Sequence, residues 1–424
     1  MRTKLLALLL SCYSFAAAAL VPLPKLATLA GGSFSTRDTR LMALYQGALK
    51  NLETQFIAME DETIYVSTGD IPAEWLRDSS VQVRPFLFFA KTNPDVRAFL
   101  KGVVLRQARS MARDPYANAF RRDYSIWERK YELDSLANPI LLAWTYWKVT
   151  GDASIFSPDV RKGFEVAVAT MQKEQNHAAD PHYYHQELRN NPYAFTGMVW
   201  SGFRPSDDGC EYNYLIPSEM MTVQALGALS EIERVVFRDE ARAASLDKFR
   251  SEVHEGIQRH GIVRTEKYGD VYAYEVDGLG NVKLMDDGNL PSLLSAPWYG
   301  YLSANDQIYQ NTRRFILSQD NPFFFQGTIA RGVGSPHTRR GMVWPLALLA
   351  QAFTATNSAE FNEVLEMLVK SDPGDHVLHE SFDPSNPTRF TRKDFGWPNA
   401  MLIELLLTRF TGLPALPVVQ APSF

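Results

Sequence analysis

The stretch "GFRPSDDGCE", residues 202–211, holds more charge than a turn requires. A turn or helix entry needs one Asp or Ser; two adjacent carboxylates beside an Arg suit acid–base work instead. Similar densities recur along the chain. "STGDIPAEWLRDSSVQ" sets Trp75 beside Arg77 and Asp78, and "DYSIWERKYELDS" carries Trp127 and Glu128. "LMDDGNL" holds Asp287 and Asn289, "IARGVGSPHTRRG" centres on His337, and "HESFDPSNPTRFTRKDFGW" supplies Glu380 and Lys393. A guanidinium beside a carboxylate can grip vicinal sugar hydroxyls, or form an ion pair at a helix entry. Glycoside hydrolysis needs two carboxyls, one protonated at the leaving oxygen and the other a base or nucleophile. By residue type, Asp207 or Asp208 opposite Glu380 is a good source of that pair.

Other polar clusters have plainer readings. Glu128, Arg129, Lys130, Glu132 and Asp134 read mostly as a solvated face, with Trp127 and Glu128 set apart because they precede the helix. Ser79 with Gln82 makes a capping box, and Asp78 is an alternative cap. The two Asp at 286–287 suit a helix start. Gly332-x-Gly334 lacks the third glycine of a nucleotide loop. There is no D-x-D calcium spacing, no metal-ligand cluster and no D-D-x-x-D box, so neither metal nor cofactor is expected.

Elements must hold these residues together. Apolar periodicity predicts twelve helices, at about 38–59, 78–92, 94–114, 131–150, 156–175, 215–237, 239–259, 290–303, 305–318, 341–355, 357–372 and 396–412. One small β-hairpin is expected over 261–276, turning at Tyr268-Gly269-Asp270. Connections before the even-numbered helices are long; those after them are a few residues. In an up-and-down arrangement all six long loops then share one end, where sites are built on a rigid scaffold. That describes an all-α (α/α)6 toroid, read as a single catalytic domain over 20–424.

Composition sets the outer bounds. The 424 residues carry a net charge of −5 with no basic block, which argues against a nucleic-acid partner. Aromatics make up 12%, suited to a core and to stacking on sugar faces. Arg2 and Lys4 precede an apolar run and then Ala16 to Ala19, the pattern of a signal peptide over 1–19 cleaved near Ala19. A secreted or periplasmic protein follows. Leu9-Leu10-Ser11-Cys12 loosely matches a lipobox, which would leave a lipidated Cys12, and an uncleaved anchor is a third reading. With Cys12 removed, Cys210 stands alone and no intrachain disulfide forms. No protein partner is implied, and a monomer is expected.

Six elements in order, "TGDIPAEWLRDSS", "ERKYELDSL", "SGFRPSDDGCEYNYLIPSEM", "MDDGNLPSLLS", "GVGSPHTRRGMVWP" and "HESFDPSNPTRFTRKDFGW", resemble glycoside hydrolase family 125, the exo-α-1,6-mannosidases. The resemblance spans about residues 67–410. It implies a metal-independent inverting hydrolase that removes terminal non-reducing mannose from α-1,6-linked manno-oligosaccharides. It places the general acid on Asp207 and the base on Glu380, with Arg77 and Asp78 holding the terminal sugar. Trp75, Trp127, Glu128, Arg204, Asp208, Asp287, Asn289, His337 and Lys393 complete the expected substrate-binding set. The chain departs from the family pattern at Gly209-Cys210-Glu211 and at Gly288, which bears on leaving-group preference. As acid, Asp207 should have its pKa raised by burial or by a like charge such as Asp208. The rival readings are a glucoamylase-like or trehalase-like (α/α)6 exo-glycosidase, and a non-catalytic glycan-binding protein on the same scaffold.

Overall fold

The computed structural model describes residues 20–177, 179–189 and 191–420; the expected signal peptide and Cys12 lie outside them. Its helices are α1 (Leu26–Ala30), α2 (Thr39–Glu53), α3 (Leu76–Gln82), α4 (Leu87–Ala90), α5 (Pro94–Arg113), α6 (Leu133–Thr150), α7 (Pro158–Gln175), α8 (Ile216–Ile232), α9 (Glu240–His260), α10 (Gln307–Ile316), α11 (Pro345–Phe353), α12 (Ser358–Lys370) and α13 (Gly396–Phe410). The predicted helix at 78–92 is α3 and α4 joined by a 3-10 turn at Arg84–Phe86, where Pro85 cannot donate to a helical ladder.

The helices form two rings. α3 packs on α6, α6 on α8, α11 on α13, and α13 back on α3, which makes the inner ring. α2, α5, α7, α9, α10 and α12 lie outside it. Inner helices are covered on all sides: in α8 every residue but Glu231 is buried. Such a helix shows little amphipathic stripe.

One predicted helix does not form. Residues 290–303 make successive turns, with Ser295, Ala296 and Trp298 each donating to a carbonyl three residues earlier. Pro291 and Pro297 have no N–H, and Gly300 sits at φ +87°, so an α-helical ladder cannot run through. Asp286 instead accepts the N–H groups of Leu293 and Leu294, at 2.9 and 3.0 Å. This coil still completes the inner ring. Tyr299 Oη donates to Pro217 O of α8, and Trp298 Nε1 donates to Glu404 of α13.

Capping separates the two rings. The six outer helices each begin on a side chain that accepts their first N–H groups: Asp38, Asn93, Ser157, Asp239, Asp306 and Asn357. The inner helices α3, α6, α8, α11 and α13 begin on Trp75, Glu132, Leu215, Trp344 and Phe395, with no side-chain cap. The expected capping box at Ser79 and Gln82 is therefore absent. Both residues lie inside α3, where the Ser79 hydroxyl donates to Leu76 O. Short turns cap outer helices; the long loops deliver inner-helix N-termini bare to one end, where their N–H groups make the local potential positive.

Small antiparallel strand pairs stiffen the long loops. The expected hairpin pairs Ile262–Thr265 with Gly269–Tyr272, turning at 266–268, two residues earlier than expected, with Gly269 at φ +80°. Further pairs that the sequence did not signal include Glu74–Trp75 with Ala119–Phe120 and Ser381–Asp383 with Asn386–Thr391.

Candidate active site

Arg77, on the first turn of α3, is the hub. Its Nη1 donates to Glu132 at 2.7 Å and to Asp134 at 3.3 Å, both at the start of α6. Its Nη2 lies 3.4 Å from Asp78 and 3.6 Å from Asp207. The guanidinium also sits over the Trp397 ring, 5.2 Å from the centroid. Glu132 and Asp134 are thus not on a solvated face, as their spacing suggested. Both are buried, because they stand at the start of an inner helix against Arg77, which supplies the opposing charge.

Asp207 and Glu132 share their neighbours. Asn118 Nδ2 donates to Glu132 at 3.2 Å, to Asp207 at 3.1 Å and to Glu128 at 2.9 Å. Asp207 adopts φ +65°, the left-handed region that Asp and Asn enter more readily than other non-glycine residues. Arg204, before it in the loop, is buried, and its Nε donates to Glu275 at 2.5 Å. Glu275 also accepts the N–H groups of Glu211 and Tyr212, tying the loop to the strand Glu275–Val276.

The other loops close the circle. His337 Nδ1 pairs with Asp208 at 3.3 Å. Asp287 accepts from the backbone and side-chain amides of Asn289, and Asn289 reaches Ser335 beside His337. Glu380 is buried just ahead of its strand, with Arg392 Nη1 3.9 Å away. Arg392 in turn donates to Asp70 at 2.7 Å, returning to the loop ahead of α3. All six long loops therefore meet, as the alternation of loop lengths requires.

Charges follow from this crowding. The hydrogen bond to Asp208 raises partly exposed His337 to about 9 against some loss of solvation, helped by the charges of Asp208, Asp207 and Glu380. His337 is then a cation at neutral pH, and its charge acts on Asp207 and Glu380 alike. Burial pushes Glu380 above the usual carboxylate range, against the pull of Arg392. Burial likewise lifts Asp78 to about 6 and raises Asp287. Asp207 departs from expectation. Burial alone would raise it, but a hydrogen bond from Glu132 and the charges of Arg77, His337 and Lys130 hold it low. Glu132 takes the opposite shift, pushed well above its ordinary value by burial and by Asp207 despite Arg77. The carboxyl that shares Asn118 and Arg77 with Asp207 is thus Glu132 rather than Asp208, which faces His337, and it lowers Asp207 instead of raising it.

Several buried polar atoms at this end have no hydrogen-bond partner: Trp75 Nε1, Arg77 Nε, Asp78 Oδ2 and Asp287 Oδ2. Such atoms fit a polyhydroxylated ligand. Two expected binding residues stand apart. Trp127 is exposed and stacks on Arg121 at 4.8 Å; strand alternation points it away from Ile126 and Glu128. Lys393 is exposed, and its backbone carbonyl accepts from His379 Nδ1. Asn118, Glu132, Asp134 and Asp70 were missed. Nothing local marks Asn118, whereas Glu132 and Asp134 were betrayed only by their position at an inner-helix start.

A partly open cavity of about 30 Å³ lies farther along the inner helices, between Ser80, Asn138, Trp144, Met221 and Trp298. It holds no carboxylate. The C-terminal tail closes this end, with Val419 O accepting from Gln224 at 2.7 Å. The chemistry belongs to the loop end.

Because Arg77 neutralises buried Asp78, Glu132 and Asp134, Arg77→Met should destabilise the fold by about 3–5 kcal/mol at pH 7. Urea unfolding measures this. The raised folded pKa of each acid means stability falls as pH rises through it, so the deficit should shrink on acidification.

A ring of helical hairpins with paired carboxyls at its loop end defines an (α/α)6 glycoside hydrolase. Known proteins sharpen this. The family model of metal-independent α-mannosidases (GH125) matches residues 38–407, and the chain belongs to that family. It is 40% identical to a Streptococcus pneumoniae family member solved in a non-productive complex with α-1,6-mannobiose, covering 87% of this chain and 94% of that one, with a TM-score of 0.84. The meiotically up-regulated gene 157 protein of Schizosaccharomyces pombe is 35% identical over 398 residues, 83% of this chain and 77% of that protein. A bacterial glucoamylase complexed with acarbose shares the fold at 12% identity, over 88% of this chain and 56% of that one, with a TM-score of 0.64.

Proposed function

We propose that the protein is an exo-acting, inverting α-1,6-mannosidase in which Asp207 is the general acid and Glu380 the general base. What supports this is that His337, paired with Asp208 at 3.3 Å, carries its charge to both Asp207 and Glu380, carboxyls from loops far apart in sequence. Asp207 donates a proton to the glycosidic oxygen as the C1–O bond breaks. Glu380 removes a proton from the water whose oxygen bonds to C1 on the opposite face. Inversion needs the carboxyls about 6.5–9.5 Å apart to admit that water. Exo-action fits a site entered from one end of the ring and closed below by buried helices. Trp75, Asp78, Asp287 and Asn289 bind the terminal mannose. The α-1,6 preference rests on the similarity to the streptococcal protein solved with that disaccharide. We further propose export through a leader over 1–19, which suits a glycan substrate outside the cytoplasm.

Real-time proton NMR of α-1,6-mannobiose hydrolysis tests this reading. β-Mannose should appear first and then mutarotate. α-Mannose appearing first would establish retention, and cleavage of α-1,4-glucosides instead would favour a glucoamylase-like enzyme.

A further inference from the structure

The proposed acid poses a difficulty. A general acid must carry a proton, yet Arg77, Lys130 and cationic His337 surround Asp207 and favour its charged form. The buried set around Arg77 contains Asp78, Glu132, Asp134 and Asp207, four carboxyls about one guanidinium. Burying that many uncompensated charges is far costlier than retaining a proton. Glu132 and Asp207 stand side by side, since both accept from Asn118 Nδ2 and both flank Arg77. They differ in exposure: the Glu132 side chain is 0% exposed and that of Asp207 is 23% exposed.

We infer that Glu132 and Asp207 hold one proton between them, and that Glu132 is the positioning residue that passes it to Asp207 when substrate seats. This rests on Asp207 being the acid. In the free enzyme the proton resides on the buried member, while Asp207 faces the open end as a carboxylate. A sugar covering Asp207 removes its solvent and presents the glycosidic oxygen as an acceptor. The Glu132 O–H bond then breaks as the Asp207 O–H bond forms, and that proton moves to the leaving oxygen as C1–O cleaves. The carboxylate left on Glu132 is received by groups already in place: Arg77 Nη1 at 2.7 Å, Ser135 Oγ at 2.9 Å and Asn118 Nδ2 at 3.2 Å. The proton that Glu380 takes from water returns to the pair through solvent. No other reactant is needed.

Glu132→Gln tests the inference, because the amide can donate a hydrogen bond to Asp207 but cannot release a proton. Two substrates separate the roles: α-1,6-mannobiose, whose leaving group needs protonation, and 2,4-dinitrophenyl α-mannoside, whose leaving group does not. On mannobiose, kcat should fall at least ~10²-fold with KM nearly unchanged; on the aryl mannoside the loss should stay below about tenfold. The alkaline limb of the kcat profile should move to lower pH. Equal losses on both substrates, or an unmoved limb, would reduce Glu132 to a structural residue. Ser135→Ala covers the case in which the Gln variant does not fold. Removing a donor to the Glu132 carboxylate should move the alkaline limb to higher pH, and no movement would again overturn the inference. Asp78, Asp134, Lys130, Arg77 and His337 face the pair in every variant, so their influence is constant. If Asp207→Asn fails to discriminate between the two substrates, the acid assignment itself falls, whatever Glu132 does.

Discussion

Asp207→Asn is expected to lower kcat on α-1,6-mannobiose by about 10²–10⁴-fold, the usual contribution of a positioned general acid. KM should change little, since the amide keeps the shape of the side chain and its oxygen can still accept from Asn118. The choice of Asn matters. Asp207 sits at φ +65°, and Asn is among the few side chains that tolerate the left-handed region, so the backbone need not move. Ala at this position would add conformational strain to the chemical loss and confuse the two. With 2,4-dinitrophenyl α-mannoside the loss should be much smaller, because that phenolate departs without a proton. Steady-state kinetics on the two substrates makes the comparison. A kcat within about threefold of wild type on mannobiose would remove Asp207 from the mechanism.

The ring was legible in the sequence because it is encoded twice, in helical periodicity and in alternating loop length. Eleven of the twelve predicted helices form among the described residues. The exception is instructive. Residues 290–303 have the apolar content of an inner helix, since they occupy an inner-helix position, but Pro297 and Gly300 prevent the ladder. Burial pattern and backbone conformation are separate signals, and here the apolar pattern prevailed wrongly. The site was legible where it lies on loops of odd composition, as at Asp207, His337 and Glu380. It was illegible where residues act through distant partners. Glu132 and Asp134 look like solvated charges until Arg77, more than fifty positions away, is placed against them. Capping misled for a related reason: Ser79 and Gln82 satisfy a local rule that applies to the outer helices, while the inner helices begin bare. The sign of the Asp207 shift could not be read either, because it depends on Glu132 and Lys130 from one loop and on Arg77 and His337 from two others.

Glu380→Gln should have an equally large effect, distinguishable from that of Asp207→Asn. A base is required whatever the leaving group, since water must lose a proton as its oxygen bonds to C1. The loss should therefore reach about 10²–10⁴-fold on both mannobiose and the dinitrophenyl mannoside. The environment explains why Glu380 suits the task. Burial raises its pKa, making it a stronger base than an exposed carboxylate, while Arg392 and His337 keep the shift from becoming prohibitive. The strand pairing of Ser381 with Thr391 and the Glu380 N–H donated to Thr391 O fix the backbone that carries it. The sign for pH follows: Glu380 must be ionised to act, so wild-type activity should fall on the acid side as pH drops through its raised pKa. In the Gln variant that limb should vanish from the residual rate. Full activity on the aryl mannoside, or an acid limb unchanged by the substitution, would assign the base to another carboxyl. Asp70 is the first alternative, since it holds Arg392 from the other side and its charge reaches Glu380.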